Sequence, residues 1–492
     1  MDVVAQGWGW RHGGRAAWAL CDVSFTIAAG ERVLLLGGSG SGKSTLLHAL
    51  AGVLGGADEG EEAGRILVGG KHPTRQHGHV GLVMQDPESQ VVLARVGDDV
   101  AFGCENLGLD RDEIWRRVRE SLEAVGLNLP LEHSTSALSG GEKQRLAIAG
   151  ALAMGAEVLL LDEPTANLDP AGIRDVRDTI ARVVDDRRTT LVVVEHRVDV
   201  WADLVDRVIV LSPDGGLLAD GTPTEVFGAH SDHLLRAGVW VPGAPLPEPI
   251  EASVGSASIL ETRDLTLGFS PRRPVRSGVD ERVPDARSTM ITGANGAGKT
   301  TLALTLAGLL PPLAGAVVAA DHLRPPAEIR VGWAQRRRRI EPAHPHTWAS
   351  RDLLTRIGTV FQEPEHQFVS ATVSEEIGVG LRALGWSRAN IDTRVSELLE
   401  ILHLTTLARA NPFTLSGGEK RRLSVGTVLA TAPRVIVLDE PTFGQDRNTW
   451  TDLVALVRAM IAEGRTVISV THDRAFIDTL GQHHIRLGVA DD

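Results

Sequence analysis

The sequence contains very little cysteine, since Cys21 and Cys104 are the only two among 492 residues. Two thiols cannot build the disulfide framework of a small secreted domain, and we expect both to be small buried hydrophobic residues. No apolar run approaches the roughly 18 residues that suggest a membrane span. A basic and then apolar N-terminal signal is also absent. These absences predict a cytoplasmic protein, and any pore would have to come from another chain.

The sequence also lacks an excess of positive charge, because acidic residues outnumber basic ones and the formal net charge is −13. Binding to nucleic acid depends on Lys and Arg neutralising phosphates, so we expect no broad nucleic-acid binding. One basic run, Arg336–Arg339, lies in an irregular stretch at about 321–350. We favour a solvated surface loop there, and contact with anionic lipid or a partner is the alternative.

What the sequence does contain is one set of motifs that occurs twice in the same order. The Gly-rich loop at 37–44 returns at 293–300, with an offset of 256 between Lys43 and Lys299. Further on, a Gln, a Leu-Ser-Gly-Gly-Glu run and an Asp-Glu-Pro-Thr run each return at an offset of 277. A unit this long indicates tandem domains and not a solenoid array.

The boundary between the two halves is marked by proline. Four prolines with interleaved Ala and Gly lie between 242 and 249, and they exclude a helix or a central strand. We therefore predict a first domain at 1–230, a Pro/Ala-rich linker at 231–258 and a second domain at 259–492.

Each Gly-rich loop follows an apolar strand and precedes a helix. Glycines let backbone N–H groups surround a phosphate, and the helix N-terminus adds partial positive charge. The lysine can reach the β and γ phosphates, and the next hydroxyl can bind Mg²⁺. The predicted nucleotide-binding residues are Gly37, Gly38, Ser39, Gly40, Ser41, Gly42, Lys43, Ser44 and Thr45 in the first half, and Gly293, Ala294, Asn295, Gly296, Ala297, Gly298, Lys299, Thr300 and Thr301 in the second.

Two apolar runs end in acid pairs, and such runs are typical of buried parallel strands. Open α/β sheets bind ligands at the carboxyl ends of their strands, so the acids are expected at the nucleotide. Asp162 and Asp439 suit a Mg²⁺ shell, and the following Glu163 and Glu440 suit polarising the attacking water. The predicted metal ligands are Ser44, Gln85 and Asp162 in the first half and Thr300, Gln362 and Asp439 in the second.

A histidine follows the next apolar strand in each half. His196 and His472 can each reach the γ phosphate from the opposite side. A single His would favour a structural role, but two at matching positions favour a catalytic one.

The Leu-Ser-Gly-Gly-Glu runs at 138–142 and 415–419 resemble the signature motif of ATP-binding cassette ATPases, and the resemblance covers nearly the whole chain. It implies an α/β fold of two tandem P-loop cassettes, each with a mixed core sheet and a helical subdomain, that use ATP and Mg²⁺. In that family each ATP lies between one phosphate loop and the signature of the opposite cassette. Ser416 and Gly418 would then serve the first site, and Ser139 and Gly141 the second.

The same resemblance implies two further contacts. An aromatic ring, usually Tyr, stacks on adenine in this family, and this chain has no Tyr. Trp10 and Phe269 lie at the matching places, with Trp8 the alternative to Trp10. The segment after each acid pair reaches the opposite phosphate loop in the family, so Asp446 would face the first site and Asp169 the second.

The residues after each Gln resemble those of the ATPase component of energy-coupling factor importers, which take up vitamins or transition metals. That implies two partners, a transmembrane coupling subunit and a small-substrate-binding membrane subunit, and a peripheral position on the cytoplasmic face of the membrane. The fused form is similar to ATPases for hydroxymethylpyrimidine or thiamine uptake. A sugar-importer ATPase, a ribosome-associated twin-cassette ATPase and a non-enzymatic scaffold are the alternatives.

The membrane partner is expected to dock on the segments after the glutamines, at about 86–105 and 363–380. The apolar residues that would make contact, or would instead belong to the domain core, are Val91, Val92, Leu93, Phe368 and Val369.

Overall fold

The computed structural model describes residues 1–55, 59–166, 168–185, 187–251, 257–326 and 341–488. The chain divides into two compact units. The first comprises Met1–Ala244 with the short segment Gly444–Thr449, and the second comprises Pro245–Phe443 with Trp450–Asp492. The basic run Arg336–Arg339 lies outside the described residues.

The first unit has two sheets. Its strands are β1 (Val3–His12), β2 (Leu20–Ile27), β3 (Arg32–Leu36), β4 (Gly60–Val68), β5 (Val80–Val83), β6 (Val158–Asp162), β7 (Thr190–Val194), β8 (Arg207–Leu211) and β9 (Leu217–Gly221). The main sheet has the order β5-β6-β7-β3-β8-β9, and every pair in it is parallel except β8 with β9. The smaller sheet is antiparallel, in the order β2-β1-β4.

The helices of the first unit are α1 (Lys43–Leu50), α2 (Val96–Asn106), α3 (Arg111–Ala124), α4 (Gly140–Met154), α5 (Pro170–Val183), α6 (Val198–Trp201), α7 (Pro223–Ala229) and α8 (Ser231–Arg236). Of these, α2 and α3 form the predicted insertion between Gln85 and the signature. Helix α8 occupies the start of the stretch read as a linker from sequence. Leu234, Val239 and Val241 are buried in the core of the first unit, so the chain stays packed to this point.

The second unit repeats this plan. Its strands are β10 (Ser258–Leu267), β11 (Arg276–Val279), β12 (Arg282–Pro284), β13 (Ser288–Gly293), β14 (Ala314–Ala319), β15 (Ile357–Val360), β16 (Val435–Asp439), β17 (Thr466–Val470) and β18 (His483–Leu487). Its helices are α9 (Lys299–Leu306), α10 (Ser350–Leu354), α11 (Val373–Leu384), α12 (Arg388–Ile401), α13 (Gly417–Ala430), α14 (Arg447–Ala462) and α15 (Arg474–Leu480). The main sheet is parallel in the order β15-β16-β17-β13-β18, and β11, β12 and β14 pair with β10 in antiparallel fashion.

The predicted fold class is therefore confirmed, with two α/β cassettes that each combine sheets with a helical part. The strands that carry the acid pairs lie inside their main sheets. β6 lies between β5 and β7, and β16 lies between β15 and β17. Both are covered on both faces, which explains their uninterrupted apolar sequence.

One expectation about cysteine is wrong. Cys104 is buried as predicted, but Cys21 is exposed. Cys21 follows the buried Leu20 on β2, and alternation along the strand turns its side chain to the opposite, open face.

Within the described residues, the chain has no helix with the length and apolar character needed to cross a membrane.

Candidate functional site

The first phosphate loop joins β3 to α1, as the sequence predicts. Gly42 immediately precedes α1 with φ +90°, a left-handed conformation that favours glycine. Lys43 is 8% exposed, and its Nζ donates to the carbonyl oxygens of Gly37 and Gly38 at 2.9 Å each. Burial lowers the pKa of Lys43, and the carboxylates of Glu163, Asp446 and Asp162 oppose that shift. The lysine side chain is thus buried and held at the loop.

The second phosphate loop joins β13 to α9 with the same geometry. Gly298 precedes the helix with φ +89°. Lys299 Nζ donates to the carbonyl oxygens of Gly293 at 3.0 Å and Ala294 at 2.9 Å. The two loops therefore offer a nucleotide phosphate the same cation and helix N-terminus.

Asp162 ends β6 beside the first phosphate loop. Burial raises the pKa of Asp162, as does the neighbouring Glu163, and a hydrogen bond with the side chain of Ser44 opposes the rise. The structure thus brings together the carboxylate and the hydroxyl that the sequence predicts as metal ligands.

Glu163 lies one residue beyond the strand, in the left-handed region at φ +46°. This conformation costs a non-glycine residue about 1 kcal/mol or more. The amide Nε2 of Gln85 donates to Glu163 Oε2 at 2.8 Å, and His196 Nε2 lies 3.3 Å from Glu163 Oε1. The three predicted side chains therefore meet, and both carboxylate oxygens are held in place.

The same arrangement recurs in the second unit. Asp439 ends β16 and makes a side-chain hydrogen bond with Thr300, while burial raises the pKa of Asp439. Its Oδ1 atom is buried and has no hydrogen-bond partner in the described part of the chain. Glu440 has φ +45°, and His472 Nε2 lies 3.8 Å from Glu440 Oε1.

Each signature run starts a helix, as predicted. Ser139 caps α4 and Ser416 caps α13, and both form a capping box with the glutamate three residues on. Gly141 and Gly418 lie in the first turns of these helices, where backbone N–H groups lack partners within the helix. Both signatures thus present the second set of donors that the sequence predicts.

Asp446 lies at the first phosphate loop, as the family resemblance implies. Its Oδ2 accepts from the backbone N–H of Ser39 at 2.6 Å, and its Oδ1 accepts from that of Thr449 at 2.8 Å. Burial alone would raise the pKa of Asp446, but the hydrogen bonds from Thr449 and Ser39 outweigh it and hold the pKa below its usual value. Asp446 is thus fixed as a carboxylate in the first unit.

The prediction for Trp10 needs correction. Its ring is 3% exposed and lies under Gly60, where an added Cβ would come within 2.6 Å of the indole. The alternative, Trp8, is fully buried and donates to Glu62 Oε1 at 2.9 Å. Neither ring is exposed enough to stack on adenine. Phe269 by contrast is 74% exposed, as a stacking ring should be.

By strand register, His12 and not Trp10 is the residue equivalent to Phe269. β1 and β10 share a register irregularity against β4 and β14, so that Gly9 is equivalent to Thr266. Continuing both strands makes Trp10 equivalent to the buried Leu267, and His12 to Phe269. The His12 ring is half-buried, with Nε2 3.1 Å from Thr45 Oγ1 next to the phosphate loop. Burial, with Arg15 and His48, lowers the pKa of His12, which favours the neutral ring.

The folds and the two sets of phosphate-binding and acidic residues define a tandem nucleoside-triphosphate hydrolase. The sequence profile of the ABC transporter family matches residues 20–166 and 277–443. The chain belongs to this family and is an ABC ATPase.

Proteins with similar sequences across both halves of the chain support the assignment. YkoD of Bacillus subtilis (strain 168), whose name proposes an HMP/thiamine import ATP-binding protein, is 33% identical over 93% of this chain and 84% of its own length. A Streptomyces avermitilis protein, proposed by its name as an ABC transporter ATP-binding protein, is 34% identical over 92% of this chain and 86% of its own length.

Solved structures show the same fold. An archaeal ribosome recycling factor, solved with the stalk protein aP1, matches with a TM-score of 0.61 at 21% identity, over 98% of this chain and 87% of that chain. A structure named RNase-L Inhibitor matches with a TM-score of 0.62 at 20% identity, over the same shares of both chains. At this level of identity the likeness shows the tandem fold alone.

The contrast between His12 and Trp10 can be tested by nucleotide binding. We expect His12→Ala to weaken one class of ATP sites, because stacking of a base on a ring contributes about 1–3 kcal/mol, while His12→Phe keeps the affinity. Isothermal titration with a non-hydrolysable ATP analogue measures both. Trp10→Ala should instead lower the melting temperature, since it empties a buried site at a cost of about 3–5 kcal/mol. Unchanged affinity in His12→Ala would contradict the assignment.

Proposed function

We propose that this chain hydrolyses ATP with Mg²⁺ to drive the import of a vitamin-like small molecule, hydroxymethylpyrimidine or thiamine, through membrane subunits. The observation that supports the proposal is that both motif sets occur in a chain whose importer-type relative matches over 93% of its length. The name of YkoD supports the class of solute.

The donors in each site fit a magnesium ion. Mg²⁺ prefers carboxylate and hydroxyl oxygens together with substrate phosphates. Asp439 Oδ1 is buried and has no hydrogen-bond partner among the described residues. The same carboxylate makes a side-chain hydrogen bond with Thr300. Asp162, Ser44 and Gln85 would hold the ion in the first site, and Asp439, Thr300 and Gln362 in the second. When bound, the ion would neutralise phosphate charge.

Glu163 and Glu440 are the proposed general bases. In the first unit, Gln85 and His196 hold the two carboxylate oxygens of Glu163, at 2.8 and 3.3 Å. A carboxylate in a fixed position can accept the proton of a water that attacks the γ phosphate. His196 and His472 then act as neighbours of the base and the phosphate, while Lys43 and Lys299 bind the phosphate charge.

In each segment after a glutamine, one valine side chain is exposed at the surface. In the first unit, Asp99 Oδ1 accepts from the backbone N–H groups of Val92 and Leu93 at 2.8 Å each. In the second unit, Glu376 Oε2 accepts from Val369 at 2.9 Å and Ser370 at 2.7 Å. Val92 is 58% exposed and Val369 is 75% exposed.

The other three apolar residues of these segments are less accessible. Phe368 is 6% exposed and packs edge-on against Phe413, with ring centroids 5.9 Å apart. Val91 and Leu93 are half-buried. Phe368 therefore belongs to the core of its own domain, which was the alternative to a docking contact. We propose Val92 and Val369 as the residues that contact the membrane subunits.

The solute is tested by reconstituting the chain with its co-purified membrane subunits in vesicles. We expect ATP-dependent uptake of labelled thiamine or hydroxymethylpyrimidine, and none of a labelled sugar. Uptake of the sugar alone, or co-purification with ribosomes and without membrane subunits, would overturn the proposal.

The general bases are tested by Glu163→Gln with Glu440→Gln in one chain. The amide keeps the shape of the side chain but cannot take up the proton, so ATP should bind with near-normal affinity while hydrolysis falls by about 100-fold or more. Phosphate release and equilibrium binding measure the two effects. Substantial hydrolysis in the double variant would show that another group accepts the proton.

The docking surface is tested by Val92→Asp and Val369→Asp. A buried charge in the interface should release the membrane subunits while the ATPase activity of the isolated chain stays within about twofold. Co-purification of the subunits is the measurement. Val53→Asp is the matched control, because Val53 is 59% exposed in the same unit as Val92 and lies outside both segments. Loss of the subunits in the control as well would argue against a specific surface.

A further inference from the structure

The two signature helices differ at one buried position. Gln144 follows Lys143 in α4, and Arg421 follows Lys420 at the equivalent place in α13. Gln144 is 2% exposed and Arg421 is 5% exposed. A neutral amide in one unit thus corresponds to a buried cation in the other.

Arg421 is anchored next to the catalytic groups of its own unit. Its Nη1 donates to the backbone carbonyl oxygen of Phe361 at 3.0 Å, and Phe361 directly precedes Gln362. The charge of Arg421 interacts with those of Asp439 and Glu440. Burial lowers the pKa of Arg421 to about 10, so the guanidinium still carries its charge at neutral pH.

Gln144, at the equivalent place in the first unit, makes no equivalent hydrogen bond through its amide nitrogen within the described part of the chain and carries no charge. Its Nε2 atom is buried and lacks a hydrogen-bond partner among the residues that the structure describes. It brings no charge to Asp162 and Glu163.

A second buried position near the acid pair also differs between the two units. The residue before the catalytic histidine is Glu195 in the first unit and Thr471 in the second. Glu195 is 4% exposed, accepts from the backbone N–H of Thr165 at 3.0 Å, and interacts electrostatically with Glu163. At these two positions the first unit has a buried acid and an amide, whereas the second has a hydroxyl and a cation.

Adjacent buried carboxylates repel each other, and a nearby cation offsets that repulsion most where water is excluded. We infer that Arg421 is a positioning residue of the second site and makes the two ATP sites unequal. Its hydrogen bond holds the backbone before Gln362, and its buried charge stabilises the nearby Asp439–Glu440 pair. In this role Arg421 acts through Glu440.

The inference rests on the proposed role of Glu440 as general base, but not on import. The test is steady-state ATP hydrolysis by the isolated full-length chain. Arg421→Gln installs the residue that the first unit already accommodates, so it should fold. We expect kcat to fall about three- to tenfold while KM for ATP changes by less than about twofold. Arg421→Met should behave in the same way, because it also removes the charge.

Conservative rescue separates charge from packing. Arg421→Lys keeps the cation, and we expect its kcat to exceed that of Arg421→Gln by about threefold or more. Gln144→Met is the matched control in the first unit, and its kcat should stay within about twofold of wild type because no partner is lost. All four variants should melt close to the wild-type temperature.

Two results would overturn the inference. One is a wild-type kcat in Arg421→Gln, and the other is a kcat in Arg421→Lys as low as in Arg421→Gln. Glu440→Gln is measured in parallel. If Glu440→Gln loses activity while Arg421→Gln does not, only the role of Arg421 fails; if Glu440→Gln keeps wild-type activity, the assignment of the base fails.

Discussion

The structure depends on placing two acidic side chains at the buried end of a central strand, beside a buried lysine. In the first unit, Asp162 and Glu163 lie close enough to Lys43 for their charges to oppose the effect of its burial. Unpaired, each of these groups would be expensive to remove from water. The position of the phosphate loop, the order of the strands and the left-handed backbone conformation of Glu163 therefore depend on one another. The second unit has the same features around Asp439, Glu440 and Lys299.

Around this shared centre the two units are not identical. The first has the buried Glu195, whereas in the second the charge of Arg421 interacts with those of the acid pair. These differences involve groups next to the reacting centre and leave every proposed catalytic side chain in place. Two sites of this kind can both turn over ATP while differing in how firmly their carboxylates are held.

Local sequence patterns predicted the parts of the site that depend on local structure. The Gly-rich loops, the acid pairs at strand ends and the serine caps of α4 and α13 need only a strand followed by a turn or a helix start, and all are where the patterns indicated. Trp10 failed for a different reason. An irregular register on β1 turns its ring into the core, and spacing from the phosphate loop does not reveal that.

Other features depend on contacts that are distant in sequence. Phe368 is buried because Phe413 packs on it, so hydrophobicity alone could not separate it from the exposed Val369. The different residues at 144 and 421 are visible in the sequence, but their meaning depends on the burial of Arg421 and on its hydrogen bond to the carbonyl oxygen of Phe361. The equivalence of His12 and Phe269 could have been found by aligning the two halves through their first strands.

The central claim is that one chain carries two complete ATP sites. Equilibrium titration of the wild-type chain with a non-hydrolysable ATP analogue and Mg²⁺ tests it most directly. The account predicts two nucleotides bound per chain. One nucleotide per chain would contradict it.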